Sequence, residues 1–454
     1  MKSSVILSGF LFILTQSTVL AAPINQVSEL AKDDSDNYVV ILADDDKRPW
    51  GQVFQDMGYN MSESSYAASE NVHTFGTNYG SMRTFGTNFR AFTMSMKKSE
   101  GASILSLPNV ASVEKDVVWS APVQPRNPAY KIANMTNHQG SQGLAKRQQN
   151  TGAIIRQSTA PWGLGRISSE RALVSNGRQV TDLKFNYDFE EPAGSGVDVY
   201  MLDTGINTDH VDFGGRAQMV FTAFGNDMTD GAGHGSHTAG TVGSMTFGVA
   251  KNVNLWGVKV LDDQNQGTLS AFMAGVDFAL ASHNKRKAEP GFKASILSMS
   301  LGGPGFAQGL FQALQRATEA GIHVSVAGGN DNTDACQFSP AAFSRQLPII
   351  TVGATNVRDQ KADFSNFGPC IDIHAPGEGI VSTYNQGPTS TFPESGTSMA
   401  CPAVTGAMAI ELAKNPSLDP ASLKRLIISK GLNGVLRGTQ GGDGLLNTGF
   451  RGTG

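Results

Sequence analysis

Between residues 197 and 354 the chain repeats one pattern. Runs that are apolar at almost every position (197–202, 255–261, 295–299, 322–327 and 349–354) alternate with stretches whose apolar residues return at helical spacing. In 270–284 those residues are Phe272, Val276, Phe278, Ala279 and Leu280, and 311–320 and 404–413 behave alike. Asp419-Pro420 offers an N-cap and a first-turn proline before Leu423, Leu426 and Ile427. Strands apolar on both faces must be covered on both faces. The pattern therefore predicts an α/β domain, a mostly parallel sheet with helices on both sides.

The first third is patterned differently. Residues 38–42 are β-branched and aromatic and predict a strand, and 110–119 predict a second with partial alternation. Between them Thr74-Phe75-Gly76-Thr77-Asn78-Tyr79 recurs as Thr84-Phe85-Gly86-Thr87-Asn88-Phe89, a local duplication too short for a solenoid. Residues 120–160 open on Pro122, Pro125 and Pro128, continue in Gln, Asn, Gly and Ser, and predict a linker. At the start, Lys2, an apolar run over 5–14 and small residues near Ala21 read as a secretory signal peptide. The run is too short for a comfortable membrane span. The division predicted is a signal peptide over 1–21, a small domain over 22–120, a linker over 121–160 and a large domain over 161–454.

Composition narrows the partners. A hydrophobic share of 40% permits a large core, and a net charge of −4 leaves no footprint for nucleic acid or an anionic membrane. Export makes the sequons at Asn60 and Asn134 candidate glycosylation sites. Lys146-Arg147 is a pair that a processing protease could cut, or two solvated charges. Cys336, Cys370 and Cys401 leave one thiol over in an oxidising compartment, and sequence alone allows three pairings.

Three short motifs carry chemistry. Asp203 ends an apolar strand, and ligands in such sheets sit at strand carboxyl ends. Asp203-Thr204-Gly205 also suits an aspartic protease, but no second such triplet exists to complete a dyad. His234 sits among glycines at the start of a helix. His237 follows at i+3 with no Glu between them in the zincin manner, which argues against zinc and for a structural His237. Ser398 opens an apolar helix, where free N–H groups and the helix dipole favour negative charge. Ala400 departs from the Gly-x-Ser-x-Gly elbow of the α/β-hydrolases, and the order Asp, His, Ser departs from theirs, so an esterase or lipase is disfavoured.

With these motifs in this order, the chain resembles the subtilisin clan of serine proteases (peptidase S8), and within it the proteinase K-like secreted fungal group. Trp162-Gly163-Leu164-Gly165-Arg166-Ile167 resembles the opening of the mature enzyme, and residues from about 36 to 120 resemble the inhibitory propeptide, a small α+β, ferredoxin-like domain. The resemblance implies Asp203, His234 and Ser398 as a catalytic triad and Asn330 as an oxyanion donor. It implies a peptide held as an added strand between Ser300-Leu301-Gly302-Gly303 and Asn265-Gln266-Gly267, with Ala327, Gly328 and Gly329 beside an uncharged primary pocket. It pairs Cys336 with Cys370 and leaves Cys401 free. No cofactor is implied for catalysis. A structural calcium ion is implied on the carbonyls of Leu347 and Ile349 and the carboxylate of Asp372, although the preceding loop is longer than the family's. Ala403 and Ser236 stand where the family usually has His and Thr, at positions that supply no catalytic atoms. The expected product is a secreted, monomeric endopeptidase with broad specificity and a preference for large apolar or aromatic residues before the cut, made as a self-processed zymogen. Its partners are protein and peptide substrates and its own propeptide. The alternative is a catalytically silent peptide-binding protein on the same fold.

Overall fold

The computed structural model describes residues 35–43, 45–59, 77–79, 82–86, 88–121, 123–125, 152–174 and 177–450. The signal-like leader, both sequons and Lys146-Arg147 lie outside the described residues. A small α+β unit comes first. It comprises β1 (Ser35–Leu42), α1 (Trp50–Asp56), β2 (Thr77–Tyr79), β3 (Met82–Phe85), β4 (Ala91–Lys97), α2 (Lys98–Leu105) and β5 (Val110–Lys115). Its antiparallel sheet has the order β2-β3-β4-β1-β5. Alternation along β1 explains its two faces. Val40 and Leu42 pack with Val53, Phe54, Phe92 and Ile104 inside the unit, whereas Val39 and Ile41 join the core of the large domain.

The strand predicted over 110–119 divides in two. Asp116 turns the chain, because its carboxylate accepts hydrogen bonds from the backbone N–H (2.8 Å) and hydroxyl (2.7 Å) of Ser270 in the large domain. Beyond it, β6 (Val118–Ser120) leaves the small sheet.

The large domain starts earlier than its sequence suggests. Residues 154–160, inside the predicted linker, form β7 (Ile154–Ala160), which pairs antiparallel with β8 (Phe185–Glu190) across the short helix α3 (Trp162–Ile167). Its polar residues hid it: Arg156 and Ser158 face outward while Ile155, Gln157 and Ala160 are buried. The main strands are β9 (Val197–Asp203), β10 (Ala217–Thr222), β11 (Asn254–Lys259), β13 (Ala294–Met299), β15 (His323–Ala327), β17 (Ile350–Thr355) and β18 (Ile373–Pro376). Between and after them come the short strands β12 (Gln266–Thr268), β14 (Gly303–Pro304), β16 (Phe338–Ser339), β19 (Ile380–Thr383) and β20 (Thr391–Glu394). The main sheet is parallel, in the order β10-β11-β9-β13-β15-β17-β18.

Its two covered faces account for the apolar runs. Val197, Val199 and Met201 of β9 point toward α4 (His234–Gly243) and α7 (Thr397–Lys414), while Tyr200 and Leu202 point toward α5 (Leu269–Arg286) and α6 (Gln308–Glu319). The last helix, α8 (Pro420–Lys430), is capped as predicted, with Asp419 accepting the Ser422 N–H at 2.8 Å. Cys336 and Cys370 form a disulfide, and Cys401 is a buried free thiol.

Candidate active site

Asp203 lies at the carboxyl end of β9, and His234 opens α4. Asp203 Oδ1 is 2.6 Å from His234 Nδ1, and both side chains are buried. The carboxylate is steered by the Thr204 N–H on Oδ1 (2.8 Å) and the Thr238 hydroxyl on Oδ2 (3.0 Å). This approach needs Gly235, because a Cβ there would lie 2.0 Å from the Gly205 carbonyl oxygen.

The start of α4 is organised by a residue the sequence reading missed. Buried Asp230 accepts the Gly233 N–H (2.8 Å), the Ser236 N–H (2.8 Å), the Ser236 hydroxyl (2.6 Å) and the Thr204 hydroxyl (2.7 Å). Thr204 Oγ1 in turn accepts the Gly235 N–H at 2.9 Å. An Asp just ahead of a helix start, with Ser236 in its first turn, is a capping signal that could have marked it. His237, the structural candidate, faces the carbonyls of Ile380 (2.9 Å) and Phe392 (3.1 Å).

Ser398 sits in the first turn of α7, which packs against α4. Its hydroxyl donates to the Ser300 carbonyl (3.2 Å), and the Ser300 hydroxyl donates to the Ser398 carbonyl (2.9 Å). The nucleophile candidate is thereby tied to the Ser300–Gly303 edge. His234 Nε2 is buried and, among the described residues, accepts no hydrogen bond. Burial pushes the imidazole down, but the charge and hydrogen bond of Asp203, with the charges of Glu394 and Asp230, outweigh it and lift it to about 9. Asn330 Oδ1 accepts both the Thr397 N–H (2.8 Å) and the Thr397 hydroxyl (2.9 Å). That fixes the amide and leaves Nδ2 as its donor group.

The two expected peptide-binding edges face one another across the small unit's β6. Ser120, Trp119 and Val118 pair antiparallel with Gln266, Gly267 and Thr268, and Ser120 also bridges Gly302. The Ala121 N–H donates to the Asn265 carbonyl (3.1 Å), and beyond the site the Gln124 N–H donates to the Ser395 carbonyl (2.9 Å). Trp119 stacks on Phe272 and covers Gly303, where a Cβ would come within 2.1 Å of the indole. Of the other pocket candidates, Leu301 and Ala327 are buried, Gly328 bonds to β17 through the Val352 carbonyl (2.9 Å), and the Gly329 N–H reaches Thr397 Oγ1 (3.0 Å).

The calcium expectation is corrected. Leu347 and Ile349 are buried, but Asp372 is committed elsewhere. Its Oδ1 lies 2.9 Å from Lys424 Nζ and its Oδ2 accepts the Thr351 N–H at 2.9 Å. The same ammonium donates to the Ser344 carbonyl at 2.9 Å. A lysine cation already neutralises the carboxylate, so these residues do not fit a calcium ion.

A parallel sheet with Asp, His and Ser in that order at its carboxyl ends, beside two segments that pair with β6, defines a class of folds, and sequence similarity gives the family. The chain belongs to the subtilase family, whose model matches residues 194–450. It is similar to the subtilisin-like serine protease pepC of Aspergillus niger, 43% identical over 297 residues, 62% of this chain and 54% of that protein. It is also similar to alkaline protease 2 of Aspergillus fumigatus, 44% identical over 297 residues, 62% of this chain and 58% of that protein. The alignments thus span little more than half the length of these curated relatives. A cold adapted subtilisin-like serine proteinase of solved structure is 39% identical, with a TM-score of 0.57 over 64% of this chain and 99% of that one.

Proposed function

We propose that the chain is the precursor of a secreted serine endopeptidase and that Asp203, His234 and Ser398 are its triad. The observation that carries the reading is the buried 2.6 Å Asp203–His234 pair beside a groove in which β6 already lies as a peptide strand. In this reading Ser398 Oγ attacks the scissile carbonyl, and His234 Nε2 takes its proton and passes it to the leaving amine. Asp203 holds the imidazole's orientation and stabilises the imidazolium. Asn330 Nδ2 and the Ser398 N–H at the start of α7 bind the oxyanion. The names of the relatives, serine proteases and an alkaline protease, support the activity. The uncharged lining of Ala327, Gly328 and Gly329 favours large apolar or aromatic residues before the cut.

The small unit is read as an inhibitory propeptide. Residues 118–121 lie in the groove, and Glu114 and Asp116 receive N–H groups at the starts of α6 and α5. Maturation would then cut within 125–152, between the groove and β7. The leader-like N-terminus and the disulfide support secretion, and among the described residues no helix is long and apolar enough to cross a membrane. The test compares the chain with its Ser398→Ala variant. The chain should shorten itself, cleave casein and take up a fluorophosphonate, and the variant should do none of these. A chain that does no more than the variant is a silent peptide-binding protein.

A further inference from the structure

One fully buried ammonium lies outside the triad yet reaches the segments that present it. Lys259 ends β11, in register with Asp203 of β9, and its side chain is 1% exposed. Its Nζ donates to the Thr204 carbonyl (2.7 Å), one residue after Asp203, and to Asp263 Oδ1 (2.9 Å). It lies 3.5 Å from Asp227 Oδ2, in the loop ahead of His234. Three oxygens from three segments therefore meet on one cation. Removing a buried ammonium from water is tolerated only where such oxygens replace the solvent.

Asp263 makes a second, independent link. Its Oδ1 also accepts the Gly231 N–H at 3.2 Å, three residues before His234. Gly231 is packed so closely beneath the carboxylate that a Cβ would lie 2.2 Å from Asp263 Cγ. Asp263 belongs to the tight loop that delivers β12. In that loop Asp262 Oδ1 accepts the N–H groups of Gln264 (2.8 Å) and Gln266 (2.9 Å), and Asn265 takes a positive φ of 62°. The carbonyl that Asn265 turns outward is the one that receives the Ala121 N–H of the strand in the groove.

We propose that Lys259 and Asp263 are positioning residues that latch the peptide-binding edge 265–267 to the loop carrying His234, and so set affinity for substrates long enough to use that edge. The inference rests on the protease reading. The latch touches no reacting atom. Its loss loosens one wall of the groove and leaves the Asp203–His234 pair held by Thr204, Thr238 and Asp230. A substrate that occupies only the primary pocket does not feel it.

The experiment uses the mature enzyme with Asp263→Ala, whose side chain is 46% exposed, and with Asp263→Asn, which keeps an oxygen for the Gly231 N–H, each shown to be folded by its circular dichroism spectrum. The probes are a tetrapeptide nitroanilide ending in phenylalanine and an N-acetyl-phenylalanine ester. KM for the tetrapeptide should rise about fivefold with kcat within about twofold, and both constants for the ester should stay unchanged. Raising salt should increase the tetrapeptide KM of the wild type and leave that of either variant flat, because the Lys259–Asp263 pair is open to screening on one side. Equal changes for both substrates, or none for either, overturn the latch. A wild-type chain that hydrolyses neither probe and takes up no fluorophosphonate overturns the protease reading, and the latch with it.

Discussion

Replacing Lys424 by methionine tests whether an ammonium stands in the place of a metal ion. Lys424 Nζ lies 2.9 Å from both Asp372 Oδ1 and the Ser344 carbonyl, and the lysine and aspartate side chains are 16% and 14% exposed. Methionine keeps most of the aliphatic stem and leaves a buried carboxylate without its counter-charge. Breaking a buried pair this way costs about 3–5 kcal/mol. The surviving Thr351 N–H and the residual exposure bring this case to roughly 2–4 kcal/mol, a fall in Tm on the order of 5–10 °C for a domain of this size. The pH dependence has a definite sign. Burial raises the Asp372 carboxyl above its ordinary value even against the Lys424 charge, and without Lys424 it rises further. A carboxyl raised on folding contributes stability below its unfolded value of about 3.9, and that stability is lost as pH rises through the folded value. The variant's deficit should therefore be larger at pH 8 than at pH 5. The assay is a thermal scan at one fixed rate on a Ser398→Ala background, which prevents self-digestion, in calcium or in chelator. Calcium should not raise the Tm through Asp372, so any effect of chelator should be the same in the wild type and in Asp372→Asn. A wild-type Tm that drops in chelator, by an amount that Asp372→Asn abolishes, refutes the reasoning.

Two further outcomes follow from the site. In the proposed reaction His234 accepts the Ser398 proton only when neutral, and its pKa is lifted to about 9, so kcat/KM should climb with pH along a limb lying well above the ordinary histidine value near 6.5. A limb centred at or below 6.5 in the pH–rate profile would show that Asp203 does not hold the imidazole charged. Trp119 is a buried aromatic anchor of the strand that fills the groove. Its replacement by Ala in the uncut precursor should speed fluorophosphonate labelling of Ser398 about 10–30-fold, for roughly 1.5–2 kcal/mol of lost anchoring. Unchanged labelling would mean that β6 does not restrict access.

Much of the main sheet was legible because burial on two faces leaves a mark in composition. Val197 through Leu202 had to be apolar at nearly every position, since alternate side chains enter different cores. Strand β7 was not legible, because Arg156 and Ser158 face water and only three of its seven residues, one of them Gln157, are buried. The strand predicted over 110–119 was read as one because nothing local marks Asp116 as a turn. Its partner, Ser270, lies more than a hundred residues away.

The candidate site divides in the same way. Chain order and local motif single out Asp203, His234 and Ser398 as candidates, because each stands at a strand end or helix start that short-range sequence encodes, whereas Asn330 enters only through the resemblance. The capping role of Asp230 was within reach of the same logic. The tertiary structure alone decided which charges meet. Lys259 reaches Thr204 and Asp227 only because β11 lies between β9 and β10, and Lys424 meets Asp372 only because α8 folds back over the sheet. Sequence conveys which groups are present and which local conformations they prefer. Whether a carboxylate such as Asp372 faces a calcium ion or a lysine depends on contacts between segments far apart in the chain, and those exist only once the core has packed.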